Sequence, residues 1–395
     1  MIVRLHKDIE TMVDRDISTI RNLISSSLTG VESVVLTGSV ARGEPSYSVI
    51  EGKATLLSDY DTVVVMKNRA ALNAISKCGI LEATISQALG RKVSIGAVPR
   101  FFWKRAPRTA FFYGIKKTGR TICGRDLLGE IPIQKREEID KEDGLSILFN
   151  YLNQLLTVYS QSQSDFFRMR PDGNGSVLLT SSRAILACTE ALLILEGKYD
   201  PSLNKRIRIL REEAGNSILA LIRAFPEFPR LLGEAYNVRN GQNGTSPDFR
   251  PNPYTFWFKS KECLLEVVRH YLREHFNLTS SENIDLLGNY ANIPDRISRN
   301  VQYFLLKSIS ERKFLLSASL WRHPVKRRFQ SAAFLLASSL KEKDISEREL
   351  QCAMVLVDAF FPFRSHIDYP ITEDWWNLKT TLATYWRFAS PVLGM

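Results

Sequence analysis

Two apolar strands that bring a Gly-Ser turn and a pair of carboxylates together constrain this chain more than any other feature. The first run is Val34-Val35-Leu36-Thr37-Gly38-Ser39-Val40-Ala41-Arg42-Gly43, and the second is Leu57-Ser58-Asp59-Tyr60-Asp61-Thr62-Val63-Val64-Val65. Residues two apart on a strand share a face, so Asp59 and Asp61 point the same way. Two like charges that close repel, and each holds the other's proton more tightly unless a cation lies between them. A divalent metal resolves the repulsion, and a shell of carboxylates completed by substrate phosphates suits Mg²⁺. Gly38 lets the backbone approach a phosphate closely, while Ser39 adds a hydroxyl and a backbone donor. A metal–triphosphate site is the expectation.

An apolar strand, Gly-Ser, a spacer and Asp-x-Asp in a second apolar strand resemble the signature of the DNA polymerase beta-like nucleotidyltransferases. The resemblance covers roughly residues 1–130. It implies a small mixed-sheet α/β domain whose carboxylates hold two Mg²⁺ ions and a nucleoside triphosphate. Asp59 and Asp61 would then be the catalytic metal ligands, and Gly38, Ser39 and Arg42 would contact the triphosphate. The segment Ala184–Leu195 followed by Gly197-Lys198-Tyr199-Asp200-Pro201-Ser202 is similar to the helical domain of kanamycin-type members. By that resemblance Ser202 and Lys205, at the N-terminus of a new helix, would also reach the triphosphate.

Two departures accompany the likeness. The spacer is long, and Tyr47–Leu57 reads as an inserted hairpin around Glu51-Gly52-Lys53. The family also places a third carboxylate on the next strand, as metal ligand and general base. That strand is expected over 91–98, where no acid occurs and Ser94 or Gly96 takes the slot. Three alternatives follow: a carboxylate from elsewhere substitutes, the acceptor is deprotonated differently, or nucleotide is bound without turnover.

A chain of 395 residues has room for two or three domains. The five cysteines lack CxxC spacing, which predicts reduced thiols rather than disulfides or zinc. The start of the chain shows no signal-peptide pattern, and no uninterrupted apolar run approaches the roughly 20 residues of a membrane span. Cytoplasm is the expected location. The net charge of +11 lies mostly in residues 1–135, which hold 20 basic against 12 acidic residues. Arg91 to Arg125 contains ten basic residues and no acid, interleaved with Phe101, Phe102, Trp103, Phe111, Phe112 and Tyr113. Such a block attracts a triphosphate, a phosphorylated acceptor or single-stranded nucleic acid, or else is a solvated basic face over an aromatic core.

Helical spacing of apolar residues over 7–29 predicts an opening helix that Gly30 stops. Asn68 is expected to cap a helix over 69–78, a second helix runs to Leu89, and Ala110–Gly124 reads as two strands around a Lys-Thr-Gly turn. Beyond Pro132 and the charges of Lys135–Asp143, helical patterns dominate: 143–160, 177–196, a helix to His275, then 301–320, 325–340 and 347–360. Loops are expected at 160–176 and 240–247. Trp375, Trp376, Tyr385 and Trp386 read as core or interface of a closing helix pair. The five histidines share no ligand-like spacing. The predicted class is α+β: a nucleotidyltransferase domain over 1–135, a helical bundle closing the cleft over 136–278, and a helical domain over 279–395.

The expected function is Mg²⁺-dependent transfer of a nucleoside monophosphate from a triphosphate to a hydroxyl of a small or sugar-type acceptor. Transfer to RNA or protein is the second reading. The third is a degenerate protein that binds nucleotide or a partner without turnover. The helical tail resembles that of larger bacterial relatives.

Overall fold

The computed structural model describes residues 2–50, 53–159, 174–239, 252–294, 324–358 and 371–389. It is a mixed α/β structure in which a small four-stranded sheet precedes a long helical region. The sheet order is β5-β4-β1-β6, from β1 (Val31–Thr37), β4 (Tyr60–Met66), β5 (Val93–Pro99) and β6 (Arg120–Gly124). Strand β4 runs parallel to β5, and β1 is antiparallel to both β4 and β6. The expected hairpin is present as β2 (Tyr47–Ile50) paired with β3 (Lys53–Leu56), set apart from the main sheet.

Alternation along the strands splits the sheet into two buried faces. On one face Val34, Leu36, Tyr60, Val64, Met66, Val93 and Ile95 meet α1 (Ile2–Ser27) and α3 (Ala71–Leu89). Helix α1 follows the expected stripe, burying Ile9, Val13, Ile20 and Ile24. On the other face Val35, Val63, Val65 and Val98 pack under α4 (Arg100–Trp103), α5 (Ala110–Thr118) and the 127–139 segment. Ile194 and Tyr199 of the helical region join that second layer. Asp61 shares the parity of Val63 and Val65, so its carboxylate lies on the face turned toward the helices.

The helical region comprises α6 (Lys141–Val158), α7 (Asn174–Leu195), α8 (Leu203–Glu212), α9 (Asn216–Ala224), α10 (Phe228–Arg239), α11 (Pro253–Phe276) and α12 (Asn283–Asn292). It continues with α13 (Val325–Ser339), α14 (Glu347–Asp358) and α15 (Ile371–Ala389). Buried side chains from Leu145 to Leu382 form one continuous apolar cluster. Trp375 is fully buried there, and Trp376 and Trp386 pack against its edge.

Three readings are corrected. The pattern at 110–118 is a helix, not a strand: the Thr109 side chain accepts from the Phe112 N–H, and Phe112 and Ile115 fall on one buried face. Only 120–124 is extended. The stretch after Lys67 is a short 3₁₀ turn followed by one helix through Leu89, since Gly79 does not break it and Gly90 caps it at φ +64. Asn68 caps nothing; its Oδ1 accepts from the Phe101 N–H. Gly175–Leu195, which is interrupted by Arg183 and Glu190, is nonetheless long and apolar enough by length and composition to cross a membrane. In the most apolar 18-residue window 72% is buried inside the protein, where the helix serves as the centre of the core. The helix expected over 301–320, the loop at 240–247 and the side chain of Tyr385 lie outside the described residues, as do 160–173 of the 160–176 loop.

Candidate functional site

Register brings the two sequence motifs together. Antiparallel pairing sets Thr37 of β1 opposite Asp61 of β4, so the Gly38-Ser39 turn begins beside the acid. Gly38 has φ +74 and opens the short helix α2 (Gly38–Ala41). A Cβ at Gly38 would stand 2.4 Å from Asp61 Oδ2. Only glycine satisfies both the left-handed backbone and that contact. The Ser39 hydroxyl donates to Ser58 Oγ at 3.0 Å, and Ser58 Oγ accepts from the Ser46 N–H at 2.7 Å. That chain of hydroxyls ties the turn to the segment leading into Asp59.

Asp59 lies just before β4 rather than within it, one-third exposed, with Lys92 Nζ 3.8 Å from its Oδ2. Asp61 is half-buried at the start of the strand. Burial, then the neighbouring Asp59 charge, pushes the Asp61 carboxyl up to about 6, although Lys92, Arg42 and Arg183 all pull against the rise. An acid held partly protonated by a second acid is the condition a divalent cation relieves.

Arginines from both parts of the chain lie near Asp61, where Arg42 and Arg183 act on its carboxyl. Arg42, at the end of α2, is 19% exposed, and its Nε is buried without a hydrogen-bond partner among the described residues. The nearest acid is Glu44, at 3.8 Å. Arg206 of α8 is buried, with Nη1 2.5 Å from Glu190 Oε2 of α7 and its guanidinium 5.6 Å from the Tyr199 ring centre. Its Nε also lacks a hydrogen-bond partner. Arg239, the last residue of α10, has its pKa lowered by burial and then by the charges of Arg206 and Arg42. Arg42 and Arg206 thus each keep an Nε without a hydrogen-bond partner among the described residues, and the charges of both bear on Arg239. Arg183 of α7 is exposed and acts on Asp61 from the helical side.

The N-terminus of α8 is tied to the turn directly. Glu44 accepts from the Ser202 hydroxyl at 2.5 Å and from the Leu203 N–H at 3.0 Å, while its own N–H donates to Ser39 O at 2.9 Å. Ser202 is thus the expected N-cap, accepting from the Lys205 N–H at 3.2 Å. Its hydroxyl proton is committed to Glu44, and Lys205 Nζ lies 3.9 Å from Asp200. The geometry brings Gly38, Ser39, Arg42, Asp59 and Asp61 together; Ser202 and Lys205 sit beside them, engaged with Glu44 and Asp200.

On the neighbouring strand Ser94 pairs with Asp61 and Gly96 with Val63, so no acid flanks Asp61 from β5. Among the described residues no group of three or more His, Cys, Asp or Glu is placed to hold a metal ion. In the basic block Trp103, Phe112 and Tyr113 are buried and Phe102 and Phe111 half-buried, leaving Phe101 as its one exposed ring. Arg100 is committed to Glu32 at 2.6 Å and Glu130 at 2.5 Å.

Sequence reasoning missed Glu44, Arg183, Arg206 and Arg239. A signal existed for Arg183 and Glu190, which are seven apart on α7 and so share a face. For Glu44 none did, because its partners Ser202 and Leu203 lie more than a hundred residues away, whereas Arg206 pairs with Glu190 on the preceding helix. The chain matches no protein-family model, no curated protein and no solved structure.

Proposed function

We propose that the protein transfers a nucleoside monophosphate from a nucleoside triphosphate to a hydroxyl of a small or sugar-type acceptor, releasing pyrophosphate. One observation carries this reading: the glycine turn packs on Asp61 beside Asp59, within electrostatic reach of Arg42 and Arg183, and Arg42 keeps a buried Nε without a hydrogen-bond partner among the described residues. A pair of close carboxylates beside incompletely hydrogen-bonded guanidiniums suits a metal bound to a polyphosphate. The two acids fit Mg²⁺, which takes one or two carboxylates and completes its shell with water and phosphate oxygens. When bound, that ion would neutralise charge on the reacting phosphate. Asp59 and Asp61 would hold it. The forks of Arg42, Arg206 and Arg239 would grip phosphate oxygens, and the Gly38-Ser39 turn would supply close backbone approach. Both parts of the chain contribute arginines, so the triphosphate would be clasped between sheet and helices.

The burial of the aromatic rings in the 91–125 block supports a small acceptor over a stacked single strand. One observation favours the rival reading of nucleotide binding without turnover: Ser94 and Gly96 stand where an acid would deprotonate the acceptor. The readings part on pyrophosphate release, measured with each triphosphate against a panel of sugar-type alcohols. Transfer predicts release that Asp59→Asn lowers by at least about 100-fold. Nucleotide binding without any release would establish the rival.

A further inference from the structure

The back of the sheet carries a buried polar group outside the candidate site. Tyr60 lies between the two acids in sequence and points the opposite way, into the apolar layer under α1, where it is fully buried. Its hydroxyl donates to Asp16 Oδ2 at 3.1 Å. Asp16, 1% exposed, sits on the helix face otherwise made of Ile9, Val13, Ile20 and Ile24. Burying a carboxylate there is costly unless it is fully paired. It is paired: Arg91 Nη1 lies 3.3 Å from the same oxygen, and Arg15 Nη2 donates to the other at 3.4 Å.

The arrangement gains meaning from what sits next to each member. Arg91 reaches back to Asp16, while its neighbour Lys92 reaches forward to Asp59, 3.8 Å away. The Tyr60 N–H donates to the Lys92 carbonyl at 3.1 Å, and Tyr60 pairs with Val93 across the two strands. The residues that flank Tyr60 are Asp59 and Asp61 themselves. One buried carboxylate on α1 therefore clamps the entries of β4 and β5 side by side, just where the acid pair emerges on the other face. A plain hydrophobic residue at position 60 would fill the layer but would leave the strand free to shift or twist against α1.

We propose that Tyr60, held by Asp16 and Arg91, is a positioning residue that sets the spacing of Asp59 and Asp61 for a divalent cation. The proposal rests on the reading of those acids as metal ligands. Displacements well under an ångström matter here, because Mg²⁺-like ions demand near-ideal octahedral ligand placement.

The test is Mn²⁺ binding, followed by electron paramagnetic resonance on the whole chain, alongside thermal melting of each variant. Tyr60→Phe keeps the ring and removes only the hydroxyl; it should weaken Mn²⁺ at least about fivefold, short of the roughly 10–100-fold lost with a partner bonded directly to a metal ligand. Arg91→Gln, which removes the ion pair to Asp16 from a side chain 19% exposed, should shift affinity in the same direction, with its melting temperature reporting the cost to the fold. Loss of a positive charge by itself would strengthen cation binding, so a fall in this variant reports geometry rather than electrostatics. Asp16→Asn retains an acceptor for the tyrosine but loses the ion pair to Arg91, so it should weaken Mn²⁺ in the same direction as Arg91→Gln. Unchanged Mn²⁺ affinity in Tyr60→Phe and Arg91→Gln, whatever happens to the melting temperature, would reduce the group to a structural tie and overturn the proposal. A wild-type chain that takes up no Mn²⁺ would instead remove the acid-pair reading on which it stands.

Discussion

Asp61 works against the fold that holds it. Its carboxyl is raised from 3.8 to about 6, so the native chain keeps this proton after the unfolded chain has released it. Stability from the group is therefore greatest below about pH 4, is lost as pH rises through 6, and stays lost above. The shift of about two units corresponds to roughly 3 kcal/mol at neutral pH. Asp143, raised by burial to about 6 despite the Ala110 N–H bonded to it, adds a loss of the same sign. Asp61→Asn should accordingly melt above wild type at pH 7.5 and level with it only at or below about pH 3.5, in the absence of divalent ions. A variant less stable than wild type at pH 7.5 would contradict the electrostatic account. At this scale the sequence was readable wherever neighbours in space are neighbours on a strand: Gly38, Ser39, Asp59 and Asp61 follow from two short motifs. Glu44 bonded to Ser202, and Arg239 within reach of both Arg42 and Arg206, arise only when helices far downstream dock, and no local pattern encodes that.

Among the elements, valine-rich runs became strands and i, i+3/i+4 stripes became helices, as periodicity requires. The failure at 110–118 is instructive, because its Phe and Tyr residues carry strand preference while Thr109 supplies a helix cap. The cap and a buried face decided the outcome, not the aromatic composition. Helix interiors also hold two glycines whose surroundings differ. Gly79 of α3 is exposed with nothing near its missing Cβ, so Gly79→Ala should stabilise by about 1 kcal/mol through helix propensity alone. A Cβ at Gly144 of α6 would lie 2.4 Å from the hydroxyl of Tyr271, a fully buried ring of α11 whose hydroxyl donates to Lys141 O at 2.6 Å. Overpacking there costs about 1–3 kcal/mol, more than the propensity gain, so Gly144→Ala should lower the denaturant midpoint. Opposite signs in the two variants check the packing of α6 on α11; equal stabilisation would refute it.

For the molecule as a whole, the surplus of eight positive charges in residues 1–135 is spent in two places. Some of it, as at Arg100, closes ion pairs within the sheet region, and some converges with arginines of the helices around Asp59 and Asp61. The broad plan of a small sheet followed by helices was legible in the sequence, because strand signals fade after Pro132. The closeness of the parts was not, since it rests on Glu44 capping α8 and on Ile194 and Tyr199 entering the layer beneath α5. The central claim is that this junction holds a metal and a polyphosphate together. The direct measurement is the melting temperature of wild type and Asp61→Asn with each of the four nucleoside triphosphates, with and without Mg²⁺. The account predicts an upward shift for wild type that needs both nucleotide and Mg²⁺ and is abolished in Asp61→Asn. A wild-type chain unmoved by every nucleotide, or a shift that Asp61→Asn retains in full, would contradict it.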